Sequence, residues 1–380
     1  MLPLSGITVV TVEQAVAAPF ATRQLADLGA RVIKVERPGG DFARRYDTAV
    51  HGESSYFVWL NRAKESLTLD LKAERDREIL DTLLGRADIF VQNLAPGAAA
   101  RLHLDPTTLQ ARHPQLIPCE ITGYGTTGPW SARKAYDLLV QCQTGLVSLT
   151  GTPESTARPG ISIADIAGGM YAYTAILTAL YTRATTGTAR AVTVSLFDAL
   201  AEWMSQPAYY TRYTGHQPPK TGTHHPTIAP YGAYKAKDGK EILFAIQNER
   251  EWQSFCTDFL ARPDIQDDRR FTTNEARVTH RQDLDEIIKA KLATMDSKAV
   301  TTALDKANIA NTGVNTVHDF LDHPVLSDRN RWQDVLLPGG TMQALLPPVT
   351  MDGVEPRMAA VPSPGEHTAS ILTELGYPPA

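Results

Sequence analysis

Over the first part of the chain, short β-branched runs alternate with longer stretches whose apolar residues recur at helical spacing. GITVVT (6–11) reads as a buried strand. From Gln14 to Gly29, Phe20, Leu25 and Leu28 follow a helical period that closes on a glycine stop signal. RVIKVERPGG gives a second strand running into a turn, and SLTLDL, DIFVQNL and LIPCEITGYG repeat as strands. Between them lie a helix over Lys72–Arg86 and a shorter one near Ala98–Leu102. ARAVTVSLFDALAEWM adds one more strand and helix. Alternation of this kind implies a parallel sheet with right-handed crossovers, which collects ligands at the carboxyl ends of its strands.

The pattern breaks at Ser205–Pro230, where SQPAYYTRYTGHQPPKTGTHHPTIAP reads as a linker. YGAYKAKDGKEILFAI then gives two strands about a Lys-Asp-Gly-Lys turn. Helix-rich polar sequence follows from Glu249 to about Ala310, with Leu284, Ile287, Ile288 and Leu292 on one face. The expected organisation is a large Rossmann-like α/β domain over 1–204, a linker over 205–230 and a small α+β domain over 231–315. Residues 316–380 return, and their last helix, EHTASILTELGY, completes the large domain. In this reading the parallel sheet is built from N- and C-terminal parts together. A chain of 380 residues is longer than one core usually supports, which agrees with two domains.

One stretch, RPGISIADIAGGMYAYTAILTAL (158–180), stands apart. Nothing from Ile166 to Thr182 carries a full charge, and Asp165 stands at the head of that segment. Gly168 and Gly169 follow, where the missing side chains leave room for a ligand or a second backbone. Asp165 is either the cap of a buried helix or a nucleophilic carboxylate in a dry pocket. The segment is short for a bilayer span and contains Thr and Tyr, so a core helix is expected and no membrane partner.

Composition alters this picture little. Hydrophobic content of 43% and charged content of 21% describe an ordinary soluble protein. A net charge of -5 without a Lys/Arg stripe gives no nucleic-acid footprint. MLPLSGITVV lacks the basic and long apolar regions of a signal peptide. Cys119, Cys142 and Cys256 form no CxxC pair and no metal set, which fits a reducing cytoplasm. The first strand–helix turn, EQAVAAPF, has no G-x-G-x-x-G and no Walker A sequence is present, which argues against a nicotinamide dinucleotide. Arg37, Lys72 and Arg101 nevertheless follow successive strands, as cations holding several phosphates would; exposed surface charge is the alternative.

Taken in order, these blocks resemble the class III CoA-transferases, the group of formyl-CoA transferase, alongside the related α-methylacyl-CoA racemases. The resemblance runs from GITVVTVEQAVAAPFATRQLADLGARVIKVERPGGD through LTLDLK, QNLAPGAAARL and ITGYGTTGPW to ADIAGGMYAYTAILTAL and GEHTASILTELGY. It implies that Asp165 is the nucleophile, with Tyr136, Asp137, Val16, Gly168 and Gly169 near it. It also implies that Ala15, Ala17, Arg37, Leu69, Lys72, Asn93, Leu94, Arg101 and Lys134 contact CoA. CoA enters as acyl-CoA substrate, with no metal, nicotinamide or flavin, and the partner is a second copy in an interlocked homodimer. The racemases place a histidine where this chain has Tyr136, a poor base near neutral pH given a reference pKa of about 10. Transferase is therefore favoured over racemase, and over a non-catalytic CoA-binding subunit.

The glycine-run loop of the formyl-CoA transferases is missing, and TGTHHPTIAPYG takes its place. Val16 replaces a polar residue near the acyl group, which argues against oxalate and formate. The chain is more similar to the branch acting on C4–C5 dicarboxylates: itaconate, mesaconate, malate or citramalate as acceptor, succinyl-CoA as donor. Arg44, Arg45, His224 and His225 are the candidates for holding the distal carboxylate.

Overall fold

The protein is described by a computed structural model covering residues 1–378. It divides into two compact units: Met1–Leu146 with Pro159–Gln206 and the chain from Leu326 onward, and Val147–Arg158 with Pro207–Val325.

The first unit is built on six parallel strands: β1 (Thr8–Val12), β2 (Arg31–Glu36), β3 (Lys64–Thr68), β4 (Ile89–Gln92), β5 (Ile117–Thr122) and β6 (Val192–Ser195). Their order is β3-β2-β1-β4-β5-β6, with Val9 of β1 in register with Val32 on one side and Ile89 on the other. The chain builds outward from β1 to β3, then returns to β1's other side through β4. That reversal opens a crevice at the carboxyl ends of β1 and β4.

The helices used below are α1 (Ala17–Asp27), α2 (Ser55–Asn61), α3 (Glu74–Leu84), α4 (Ala98–Arg101), α5 (Pro106–Arg112), α6 (Asp137–Gln143), α7 (Ile163–Thr186) and α8 (Leu196–Trp203). After them come α9 (Arg281–Leu292), α10 (Ser297–Lys306) and α11 (Thr368–Leu375). One face of the sheet is covered by α1, α7 and α8, through Leu25, Ala172, Ile176 and Leu200. The other is covered by α3, α5 and α11, through Ile79, Leu83, Leu109 and Ile371.

The C-terminal part adds no strand to this sheet, contrary to the sequence expectation. The strands Trp332–Leu337 and Gly340–Leu345 pair antiparallel with each other, and Val335, Leu337 and Ala344 pack on Phe57 and Val58 of α2. The free edge of β3 is covered differently. His367 N donates to Ser66 O (3.0 Å), Ser66 N donates to His367 Nδ1 (3.2 Å) and Thr68 N donates to Thr368 Oγ1 (3.0 Å). A loop and two side chains thus satisfy the edge groups that a seventh strand would have paired.

The core expectation for α7 is met on one face. Its buried residues are small except for Ile176: Ala164, Ala167, Gly168, Gly169, Ala172 and Ala179. The opposite face exposes Met170, Tyr171 and Tyr181 in the single chain. By length and composition alone this helix would pass as a membrane span, at a mean hydropathy of 1.3. The room expected at the glycines is filled from within the fold. A Cβ at Gly169 would lie 2.6 Å from Ala17 O and 3.1 Å from Phe20 Cβ, and one at Gly168 would strike Leu196 Cδ2. The second backbone that approaches is α1 itself.

The second unit carries a three-stranded antiparallel sheet: β7 (Tyr231–Lys235), β8 (Glu241–Ala245) and β9 (Ala310–Gly313), in the order β9-β8-β7. Phe244, Trp252, Phe255, Leu284, Ile288 and Leu304 form its core with α9 and α10. The segment expected as a linker begins with a helix, Ser205–Thr214.

The α1–α7 contact makes a direct prediction. Gly169→Ala forces Cβ against the Ala17 carbonyl and should destabilise by about 1–3 kcal/mol, as overpacking does. Thermal unfolding measures it; an unchanged melting temperature would contradict the close packing.

Candidate active site

The site grows from the exit of β1. Glu13, the residue after that strand, is buried and reaches Lys64 Nζ at 2.7 Å and Lys34 Nζ at 3.5 Å. Thr22 Oγ1 donates to it at 2.6 Å, and Lys34 Nζ also pairs with Asp41 at 2.8 Å. Burial alone would raise the Glu13 carboxyl, but the charges of Lys64 and Lys34 hold it below the ordinary value. Burial lowers Lys64 to about 8, against the pull of Glu13. These charges pin the loop that follows. Asp41 Oδ1 accepts from Ala43 N (3.0 Å) and lies 3.4 Å from Ala15 N, and Ala15 sits at φ +60°, a conformation that L residues seldom adopt. From β4, Asn93 grips the same loop at both ends of its amide, accepting from Gln14 N and donating to Gln14 O, each at 2.9 Å.

Val16 then caps α1 without any side-chain hydrogen bond, so the first N–H groups of that helix have no side-chain acceptor at the cap. Gly169 of α7 abuts the first turn of α1, and Asp165 lies four residues earlier on the same helical face. This places Asp165 toward the start of α1 and the crevice.

Asp165 is not the cap of its own helix. The cap position is Ser162, and Asp165 is the third residue of α7. The free N–H groups are taken by another carboxylate: Asp137 Oδ1 accepts from Ala164 N at 2.8 Å and lies 3.3 Å from Asp165 N. Asp137, the first residue of α6, also accepts from Gln141 Nε2 at 2.6 Å. Asp165 is thereby denied the donors that tame an acid in a first helical turn, and it faces a like charge. Burial, and next the Asp137 carboxylate, push its carboxyl up to about 7.

One further residue joins the site that the sequence reading had not singled out. Tyr46 stands against Phe42 and Tyr56, with ring centroids 5.7 and 5.5 Å apart. Its hydroxyl is pushed up to about 12 by burial, then by Asp41, Asp165 and Tyr136. It follows Arg45 in a short 3₁₀ turn, and nothing in its immediate sequence marks it as a neighbour of Asp165.

The remaining expected residues fall into three groups. Arg37, Lys72, Arg101 and Lys134 are exposed, the first three at or beyond the carboxyl ends of β2, β3 and β4. Arg37 Nε donates to Gly40 O at 3.2 Å. Ala15, Val16 and Ala17 follow β1, and Asn93 and Leu94 follow β4, with Leu94 N held by Gln92 Oε1 at 2.7 Å. Leu69 is a core residue of the cluster formed with α3 and α11.

The carboxylate fork does not survive as a set. Arg44 forms a two-pronged ion pair with buried Glu36, at 2.8 and 2.7 Å, and lies over the Phe57 ring at 3.6 Å. It also donates to Pro362 O at 3.2 Å, so its donors serve the fold and not a substrate. Arg45 is exposed and donates to Gly39 O at 2.9 Å.

In the second unit, the His224 ring stands edge-on to Tyr234 at 5.0 Å, over Gly232, where any Cβ would strike it. The His225 ring stacks on Tyr231 at 5.2 Å. Burial, then Arg281 among their neighbours, holds both imidazoles below the ordinary value, so near pH 7 they offer hydrogen bonds and not positive charge.

A cavity of about 650 Å³, lined by Leu71, Leu80, Leu102, Leu104, Arg112 and Tyr377 among others, lies elsewhere on the first unit, and Asp165 does not line it. No group of three or more His, Cys, Asp or Glu side chains suited to a metal ion occurs among the described residues.

Comparison with known proteins supplies an independent reading. Residues 4–368 match the model of CoA-transferase family III. Succinate–glutarate CoA-transferase of Agrobacterium fabrum is 32% identical over 98% of this chain and 96% of its own. Acetyl-CoA:oxalate CoA-transferase of Acetobacter aceti is 31% identical over 100% and 97%, and succinyl-CoA:mesaconate CoA-transferase of Haloarcula hispanica 31% over 98% and 96%. A crystal structure of a CAIB/BAIF family protein from Brucella suis superposes with a TM-score of 0.87 at 33% identity, covering 98% of this chain and 99% of that one.

Two predictions follow from the charges. Arg44→Ala strands the Glu36 carboxylate in the interior and should cost about 3–5 kcal/mol of stability, whereas exposed Arg45→Ala should cost under about 0.5; paired denaturant titrations test the split. Asp165 has its folded pKa raised above the unfolded value, so its contribution to stability is greatest below pH 4 and is lost as pH rises toward 7. Asp165→Asn should therefore match the parent near pH 4 and exceed it by about 1–3 kcal/mol above pH 7. A pH series of melting curves checks this, and a pH-independent difference would contradict it.

Proposed function

The chain belongs to CoA-transferase family III, and from that premise we propose that it moves CoA from succinyl-CoA to a free C4–C5 dicarboxylate through covalent catalysis at Asp165. The observation that carries this reading is a poorly solvated carboxylate, raised to about 7, in the first turn of a helix buried on one face and packed on a parallel sheet. A carboxylate whose anion is held in reserve in this way is more basic and more nucleophilic than one bathed in N–H groups.

The proposed sequence keeps an activated acyl bond throughout. The Asp165 oxygen adds to the thioester carbonyl; the C–S bond breaks and the CoA thiolate leaves with the electron pair, giving an aspartyl–acyl anhydride. The thiolate attacks the aspartyl carbonyl and expels the donor acid, leaving an aspartyl-CoA thioester. The acceptor carboxylate attacks that thioester, and the released thiolate takes the acceptor acyl group, which restores Asp165. The first N–H groups of α1, uncapped by any side chain, suit the oxyanion that develops at the carbonyl. The anhydride must be kept from water.

In this reading Arg37, Lys72 and Arg101 hold the phosphates of CoA, with Lys134 beside the pantetheine path. Arg45, exposed and next to Tyr46, is the remaining arginine for the distal carboxylate. The relatives named for glutarate and mesaconate support a five-carbon dicarboxylate. The relative named for oxalate requires that oxalate be tested beside them, despite Val16. The exposed aromatic face of α7 supports an interlocked homodimer, and the proposed location is the cytoplasm.

Incubation with succinyl-CoA followed by borohydride or hydroxylamine should modify the peptide 158–180 at Asp165, and Asp165→Asn should lose label and activity, the latter by at least ~10³-fold. An unlabelled Asp165 with activity retained in Asp165→Asn would sink the mechanism. A panel of short mono- and dicarboxylic acids, oxalate included, then ranks the acceptors.

A further inference from the structure

We propose that Gln141 is a positioning residue for the nucleophile: its buried amide fixes the Asp137 carboxylate against the first turn of α7, and Asp137 in turn sets the surroundings of Asp165. This rests on the reading of Asp165 as nucleophile.

Gln141 is fully buried, and its two ends are treated differently. Nε2 donates to Asp137 Oδ2 at 2.6 Å, while the buried Oε1 has no hydrogen-bond partner. A buried acceptor left unmade costs about 1–3 kcal/mol, so an apolar side chain would serve packing better here. Because a carboxylate accepts only, the amide must present nitrogen to Asp137, and the oxygen is left without a donor. Asp137 and Gln141 are four residues apart on one face of α6, and the other oxygen of Asp137 already faces Ala164 N and Asp165 N. These groups form a chain, Gln141 to Asp137 to the N-terminus of α7, that ends on the backbone N–H of Asp165 itself.

The groups around Asp165 make this chain influential. From α1 the first turn is Ala17, Ala18, Pro19 and Phe20, none of them titratable. From the loop after the 3₁₀ turn, Tyr46 faces it, and the Tyr46 hydroxyl in turn faces Tyr136 and Asp41. Asp137 is the like charge that opposes Asp165, and burial acts in the same direction. Removing the Gln141 donor takes one hydrogen bond from the Asp137 carboxylate and lets its Oδ2 end turn, while Oδ1 keeps its N–H partners. Asp165 then ionises more easily, becomes a weaker nucleophile and loses its fixed direction.

The test is the pH profile of kcat/KM for succinyl-CoA in Gln141→Met, Asp137→Asn and the double variant. In Gln141→Met the acid limb should move to lower pH by about half to one unit, with the plateau down ~10-fold and the KM for succinyl-CoA changed less than ~3-fold. In the Asp137→Asn background the same substitution should add less than ~2-fold, because the two residues act as one unit. An acid limb that stays put, or losses that simply multiply, would overturn the proposal. Should Gln141→Met not fold, Gln141→Glu keeps the length: protonated it still donates to Asp137, ionised it repels it. Its activity should then fall at a pH where the parent is on its plateau, and parent-like behaviour throughout would again overturn the proposal. The borohydride trap on the parent enzyme separates the two claims. No label at Asp165 there removes the nucleophile reading, whereas label with an unmoved profile removes only the role of Gln141.

Discussion

Four buried charges beneath the exit of β1 hold everything else in place. Glu13, Lys34, Asp41 and Lys64 alternate in sign, and the side chains of all four are closed to solvent. None of them is tolerable alone, since a buried charge that loses its partner costs several kcal/mol. Together they close a circuit from β1 through β2 and β3 to the turn at Asp41. What the circuit holds is the loop from Gln14 to Val16, including the left-handed Ala15, and with it the start of α1. A loop held this way needs no glycine fingerprint to keep its shape, which is how a sheet with the dinucleotide strand order presents a different ligand-facing turn.

The same frame explains why α7 stands where it does. Gly168 and Gly169 let it approach α8 and α1 closely, with Asp165 one turn earlier on the helix than Gly169. Two carboxylates then compete for one helix start. Asp137 takes the N–H groups, and Asp165 is left with burial and a like charge, a local conflict of the kind stored at functional sites. The like-charge pair costs stability at this point, and the packing of α7's buried face offsets it.

Neighbouring residues also part company. Arg44 and Arg45 read as one fork in the sequence. Within the 3₁₀ turn, however, Arg44 turns inward onto Glu36 and Phe57 while Arg45 stays at the surface. Asn93 shows the same division: it belongs to the crevice, but its amide is engaged in shaping the Gln14–Val16 loop.

Much of the first unit was legible in the chain because its strands are continuous β-branched runs and its helices keep a strict period. Asp165 was legible as chemistry because one charge heads a long uncharged segment, and the ordered blocks tied it to a family. The sequence by itself therefore determined the parallel α/β frame, the nucleophile candidate and the cations at the strand exits. Periodicity says which face of an element is buried but not what it meets, and there the tertiary structure decided. It filled the space at Gly168 and Gly169 with other helices and covered the β3 edge with a loop in place of a C-terminal strand. It committed Arg44 to Glu36, brought Tyr46 toward Asp165 from a distant part of the chain, and set Gln141 against Asp137. Those outcomes depend on contacts between residues far apart in sequence, made only once buried charges and closely packed helices have fixed the backbone.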